Sequence, residues 1–157
     1  MADEGRSSAQ FVVRRARHDE APAVAHVWLR SRLAAIPAIP APVHSDDEVR
    51  AWFREVVLPE REVWVAEHDA ELVAVMVLHH ASLDQLYVLP GWTRRGVGSH
   101  LVGLAKELRP DGLDLWAFQS NVGALRFYEA HGFEAVATTD GENEERAPDV
   151  RYVWSRA

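Results

Sequence analysis

Apolar positions along the chain change period several times, and each change marks an element. Phe11 to Arg17 (FVVRRAR) is a short β-prone run, read as a first strand. Val24, Val27, Trp28 and Leu33 then recur at helical spacing behind Asp19, a capping residue, with Pro22 in the first turn where a missing N–H is tolerated. His26 in this helix is expected to be structural. Ala34 to Val43 (AAIPAIPAPV) carries Pro37, Pro40 and Pro42 and predicts a stiff, extended connection, either a linker or a wall of an acceptor pocket. Ser45 and Glu48 form a capping box ahead of Val49, Trp52, Phe53 and Val56, a second helix ending at Pro59.

The period then shortens to two. Glu62 to His68 alternates, Asp69 and Ala70 suggest a tight turn, and Glu71 to Leu78 is a continuous aliphatic run, together a hairpin. Leu83 to Leu89 adds a third strand, ended by Pro90 and Gly91. Val97, Leu101, Leu104, Ala105 and Leu108 next mark a helix from Val97 to Arg109. Leu113 to Phe118 is a strand, so strand, helix and strand imply a right-handed parallel crossover. A helix begins or is capped at Asn121, runs through Ala130 and is stopped by Gly132. Phe133 to Thr138 resumes extended structure, residues 139–148 form a solvated acidic loop, and Val150 to Trp154 is a last strand.

Composition narrows the class. The 157 residues, 48% hydrophobic and 26% charged, suit a single domain over residues 11–157 behind a flexible segment, 1–10. A net charge of −7 argues against general nucleic-acid binding, though arginines can still make a local positive pocket. The absence of cysteine excludes disulfides, thiolate metal sites and a cysteine nucleophile. No apolar run approaches the roughly 20 residues of a membrane span and no targeting signal is evident, so the expected compartment is the cytoplasm, without membrane partners.

Two segments carry chemistry. In Leu83 to Leu104 a strand passes through a bend into a helix N-terminus, whose first N–H groups are unpaired. Gly96 and Gly98 remove side chains there, and Arg94 and Arg95 add charge, which suits an anion. Close helix packing explains two glycines equally well. In Asn121 to Phe133 (NVGALRFYEAHGF), Asn121 and Tyr128 are seven apart, within about 20° of one direction and about 10 Å apart along the axis. A long ligand could meet both; core packing beside Leu125 and Phe127 is the plainer reading of Tyr128.

Together these segments resemble the GCN5-related N-acetyltransferase (GNAT) superfamily, from Phe11 to Trp154. The family's acyl-CoA loop (Gln or Arg, two residues, Gly, one residue, Gly or Ala) falls on Thr93 to Gly98, with Thr93 at the position usually held by Gln or Arg. Its second block corresponds to Asn121, Ala124, Tyr128, Gly132 and Phe133. The resemblance implies an α/β fold with a mixed, mostly antiparallel sheet of about six to seven strands and helices on both faces. A cofactor cleft would open between the strand at Leu83 to Leu89 and that at Leu113 to Phe118.

It further implies an N-acetyltransferase that uses acetyl-CoA as donor cosubstrate and a primary amine as acceptor, a small molecule or a peptide. The diphosphate would rest on the backbone of Arg94, Arg95, Gly96, Val97, Gly98 and Ser99. The pantetheine amides would pair with Leu86, Tyr87 and Val88, and Asn121 would meet the same cofactor. An N–H near Val88 would stabilise charge on the thioester oxygen, and Tyr128 would protonate the departing thiolate. Asp84, His79 or His80, or a water relay, would take the amine's proton; Glu144, Glu145 and Asp149 could draw a cationic acceptor. A non-catalytic acyl-CoA-binding or regulatory module, a transferase of another acyl group, and a homodimer stay open. No metal is expected, since adjacent His79 and His80 do not form an i, i+4 pair. TRRGVGSH lacks the Lys and Ser or Thr of a P-loop, and no acidic ribose partner follows the bend.

Overall fold

A computed structural model describes residues 10–156, so the segment 1–10, expected to be flexible, lies outside the described residues except for Gln10. Seven strands form one sheet in the order β1-β2-β3-β4-β5-β7-β6. β2 (Glu62–His68), β3 (Glu71–His79) and β4 (Ser82–Val88) make the expected antiparallel meander, and β1 (Val12–Arg15) adds to its outer edge, antiparallel to β2. β5 (Leu113–Phe118) runs parallel to β4, and β7 (Asp149–Trp154) lies between β5 and β6 (Glu134–Thr138), antiparallel to both. The sheet is therefore mixed and mostly antiparallel, with helices on both faces.

β3 is the spine because its aliphatic run has no polar face to turn to solvent. Val75 and Val77 pack beneath α1 (Ala21–Ala35) and α2 (Asp46–Trp52), whereas Ala74, Met76 and Leu78 pack beneath α4 (Val97–Leu108) and α5 (Val122–Ala130). A strand covered on both faces reads as continuous rather than alternating hydrophobicity. Met76 and Leu78 are fully buried, and such burial stabilises by roughly 1.5–3 kcal/mol per side chain. The hairpin before β3 turns at Asp69 and Ala70, both at positive φ (50° and 66°), which matches the right-handed twist of the strands it joins.

The first two helices depart from expectation in three places. A short 3-10 turn (His18–Glu20) precedes α1, and Glu20 rather than Asp19 is its N-cap. Leu33 is 67% exposed, because the buried stripe continues through Ser31 and Arg32 instead. Ala34 and Ala35 complete α1, so the extended connection is shorter than the proline pattern suggests. The Ser45–Glu48 capping box is present: Ser45 Oγ accepts from the Glu48 N–H at 3.2 Å, and the Glu48 carboxylate accepts from the Ser45 N–H at 2.8 Å. A π-turn (Phe53–Val57) then leads into α3 (Leu58–Glu60). Its extra residue shifts the inward face by one position, so Val57 rather than Val56 is buried with Phe53.

Arg14 ties the first strand to the start of α1. Its guanidinium donates through both terminal nitrogens to Glu20, at 2.9 and 2.7 Å, and through Nε to Glu67 at 2.7 Å. The fork-to-fork hydrogen bonds lower the Glu20 carboxyl from the ordinary carboxylate range to about 2. An unfolded glutamate titrates near 4.3, so this stabilisation is complete above about pH 5 and is lost as pH falls towards 2. Urea denaturation should therefore show Glu20→Gln less stable than wild type by about 1–2 kcal/mol at pH 7, with the gap closing below pH 4. A gap that persists unchanged at pH 2.5 would assign the loss to packing instead.

Candidate active site

β4 and β5 part company soon after they meet. Their ladder holds one residue pair, Ser82 with Asp114, and there the Asp114 N–H donates to the Ala81 carbonyl at 3.0 Å. The Asp114 carboxylate closes that end, accepting from the Ser82 hydroxyl and from Arg151 at 2.8 and 3.1 Å. Beyond it the strands splay.

Which main-chain groups are left facing the opening follows from the β3–β4 ladder. The Leu89 N–H donates to the Val73 carbonyl at 2.9 Å, and antiparallel pairs alternate between bonded and unbonded. The main chain of Tyr87, two residues earlier, thus turns to β3, while that of Leu86 and Val88 turns to the splay. The Val88 carbonyl there accepts from Ser31 Oγ at 3.2 Å. Of the three residues expected to offer backbone, Tyr87 instead offers its side chain, which packs edge-on against Trp28 at 6.0 Å on the opposite face.

A cleft of about 480 Å³ lies over this opening, lined by Leu86, Val88, Thr93, Arg94, Gly96, Gly98, Ser99, Asn121 and Tyr128 among others. The bend reaches it through turns in which Arg94 (φ 63°) and Gly96 (φ 85°) adopt left-handed backbone, Gly96 being the N-cap of α4. Gly98 serves close approach: a Cβ there would meet the Phe127 ring of α5 at 3.3 Å. The cleft and the packing readings of these glycines are thus both present in one place. Val97 turns its side chain into the core (1% exposed) and offers only backbone. Arg95 does not line the cleft; its guanidinium stacks on Trp92 at 4.7 Å, and His68 stacks on Trp92 as well, also at 4.7 Å. Trp92 anchors the bend, a role its position in a turn gave no sign of.

Asn121 caps α5, accepting from the Ala124 N–H at 3.3 Å, and lines the cleft at the opposite wall. Tyr128 follows two turns on, packed edge-on against Phe127 (5.2 Å) and Phe133 (5.6 Å). It is a core residue and also borders both this cleft and a smaller one lined by Asp84, Gln85, Tyr87 and Phe118. Desolvation, and secondarily the nearby Tyr87, push its phenol well above the ordinary tyrosine range, so it carries its proton.

On the other side of Gln85 and Trp28 lies a cavity of about 420 Å³ with Trp52, Arg32, Glu48, Glu144 and Glu145 on its walls. Pro42 and Val43 also line it, so the proline segment is a wall as well as a connection. Arg32, 6% exposed, stacks on Trp28 at 4.8 Å and lies 3.8 Å from Glu145. Asp149 is elsewhere, buried and bonded to Thr139 and Asn143. Of the residues expected to take a proton, Asp84 is bound to Arg61 at 2.5 Å. His79 and His80 stack on each other at the β3–β4 turn, about 20 Å along β4 from Val88. Among the described residues no group of three His, Asp or Glu could hold a metal ion, and no helix is long and apolar enough to cross a membrane.

Residues 59–135 match the model of the acetyltransferase (GNAT) domain. The peptidyl-lysine N-acetyltransferase YiaC of Escherichia coli (strain K12) is 32% identical over 126 residues, 80% of this chain and 84% of that protein. The peptidyl-lysine N-acetyltransferase YjaB of Salmonella typhimurium is 32% identical over 132 residues, 82% of this chain and 86% of that protein. The solution structure of apo YjaB from Escherichia coli superposes with a TM-score of 0.75 at 26% identity, covering 94% of this chain and 99% of that one. The PaiA N-acetyltransferase of Thermoplasma acidophilum in complex with coenzyme A gives 0.70 at 16% identity, with the same coverage.

All three tyrosines of the chain sit where burial raises them: Tyr87 and Tyr128 by desolvation, and Tyr152, bonded to Glu129 at 2.7 Å, to about 12. An unfolded tyrosine ionises near pH 10, so this contribution to stability is present below pH 10 and is lost as pH rises through about 12. Absorbance at 295 nm should stay at its neutral-pH value to about pH 10.5 in the folded protein and then rise together with loss of far-UV circular dichroism. A separate tyrosinate step near pH 10 in still-folded protein would contradict the burial of the phenols.

Proposed function

This chain belongs to the GNAT family of acetyltransferases and is an acyltransferase; on that premise we propose that it transfers an acetyl group from acetyl-CoA to the ε-amine of a peptidyl lysine by direct attack on the thioester. The observation that carries this reading is the single cleft that joins an α-helix start, the main chain of β4 left without a strand partner and the protonated phenol of Tyr128.

The residues present fit the donor. The first N–H groups of α4, approached over Gly96 and Gly98 and beside Arg94, hold the diphosphate, aided by a helix end that carries roughly half a positive charge. Main chain at Leu86 and Val88 pairs with the pantetheine amides as a further strand would. Asn121 lines the opposite wall. When bound, acetyl-CoA supplies the activated carbonyl carbon. The Val88 N–H faces the splay, where it stabilises charge that develops on the carbonyl oxygen, and Tyr128 gives its proton to the departing sulfur. A phenol held protonated by burial is suited to donate at neutral pH.

The amine enters from the side of the 420 Å³ cavity, where Trp28 and Trp52 suit an aliphatic arm and Glu48, Glu144 and Glu145 suit its cationic head. The matched bacterial relatives named for peptidyl-lysine acetylation support that acceptor over other amines. Asp84 is held by Arg61 and the histidine pair is distant, so the ammonium loses one proton to water in the cavity before attack, and the proton that the nitrogen sheds on becoming an amide returns through water to the Tyr128 phenol.

Tyr128→Phe should lower kcat about 100-fold or more with lysine peptides while changing the calorimetric Kd for acetyl-CoA less than threefold. Gly98→Trp should do the reverse and abolish acetyl-CoA binding, since its side chain meets Phe127 and fills the cleft. Unchanged turnover in the first variant removes Tyr128 from the acid role; wild-type affinity in the second refutes the placement of the diphosphate. Acetyl-CoA binding with no thiol release across a panel of lysine peptides, polyamines and amino acids would favour a non-catalytic module.

A further inference from the structure

Ser99, on the wall of the cleft, has a partner that the proposed chemistry does not use. His131, the C-cap of α5, places Nδ1 2.8 Å from the Phe127 carbonyl and Nε2 3.0 Å from Ser99 Oγ. A carbonyl oxygen can only accept, so Nδ1 carries the hydrogen. In the neutral ring Nε2 then has a bare lone pair, and the Ser99 hydroxyl must donate to it. The serine's only proton is turned away from the cleft. If the ring gains a proton, Nε2–H donates instead, and the Ser99 hydroxyl is free to donate to an anion with a positive charge directly behind it.

The ring cannot easily leave this arrangement. It stacks on Phe127 at 4.3 Å, the same ring that crowds Gly98, and its own carbonyl accepts from Lys106 Nζ of α4. Two basic groups stand at this corner: Lys106 of α4, which also lies over Trp154 of β7, and Arg94 of the bend, which lines the same cleft as Ser99. Both ring nitrogens are taken up, by the Phe127 carbonyl and the Ser99 hydroxyl, and neither by a carboxylate.

We propose that His131 is a proton-linked positioning residue for the CoA diphosphate, acting through Ser99. The proposal rests on the placement of the diphosphate at the start of α4. By linkage, anion binding strengthens the ring's hold on its proton, and lower pH tightens the anion to the same degree.

The test is calorimetric titration with acetyl-dephospho-CoA between pH 6.2 and 8.5. This ligand lacks the 3′-phosphomonoester, whose own second proton titrates near pH 6, so its charge is constant over the range. Wild-type affinity should tighten about three- to tenfold on going to the lower pH, a tenfold change corresponding to one unit of pKa displacement. His131→Gln, which can still hydrogen-bond Ser99 but cannot gain charge, should remove the slope. Ser99→Ala should flatten it. S-acetylpantetheine, which has no phosphate, should show no slope with any variant. In the wild-type protein, NMR titration of the His131 ring should show its pKa rising when dephospho-CoA is added. A flat wild-type profile, a slope retained in His131→Gln, or an unmoved ring pKa overturns the inference and leaves the cleft assignment standing. If acetyl-dephospho-CoA binds no more tightly than S-acetylpantetheine at every pH, the diphosphate placement itself fails.

Discussion

One parallel backbone pairing, Ser82 against Asp114, is all that the ladder keeps between the two halves of the sheet. On one side stands the meander β1-β2-β3-β4, on the other β5-β7-β6. Asp114 closes this end by accepting from Ser82 and Arg151 together, which fixes β4, β5 and β7 at a common point. Past it, the main chain of Leu86 and Val88 has no strand to bond. A sheet zipped through this seam would satisfy those groups internally and leave no cleft. Unpaired backbone is costly when buried, so the seam persists by staying open to solvent or to a ligand that completes the ladder.

The elements around the seam serve packing and chemistry together. Gly98 lets α4 approach Phe127 of α5, and the same missing side chain bares the helix start to the cleft. Phe127 stacks on His131 as well, so one aromatic ring sets both the α4–α5 distance and the orientation of the imidazole behind Ser99. Tyr128 is packed among Phe127, Phe133 and Tyr152, and the burial that makes it a core residue is what holds its proton. The two readings of Tyr128, core packing and acid, need not compete.

Charge is sorted along the opening rather than over the whole molecule. The chain carries a net −7, yet Arg94 and a helix N-terminus face one end of the seam, while on the cavity beyond Gln85 Glu48, Glu144 and Glu145 outnumber Arg32. In the proposed reaction an anionic donor and a cationic acceptor thus approach from opposite sides. Fields of this kind act within about a Debye length, so local placement outweighs the sign of the total.

The sequence by itself determined the elements, because hydrophobic period, capping boxes and glycine breaks are local properties. β5 and the Asp69–Ala70 turn follow from them directly, and so does the seven-residue spacing that lets Asn121 and Tyr128 line one cleft. Family resemblance rested on the same local motifs, Thr93 to Gly98 and Asn121 to Phe133. Only the tertiary structure decided how those elements meet. The insertion of β7 between β5 and β6 is a long-range pairing, with no local signal of strand order. The π-turn that buries Val57 in place of Val56 adds a residue that a regular helical period does not anticipate. Arg95 and Asp84 are charged residues whose sequence positions suggest chemistry, but Arg95 stacks on Trp92 within the same bend, and Arg61, brought by folding, engages Asp84. Ser99 and His131 are 32 residues apart, and their contact exists only because Phe127 and Gly98 bring two helices together.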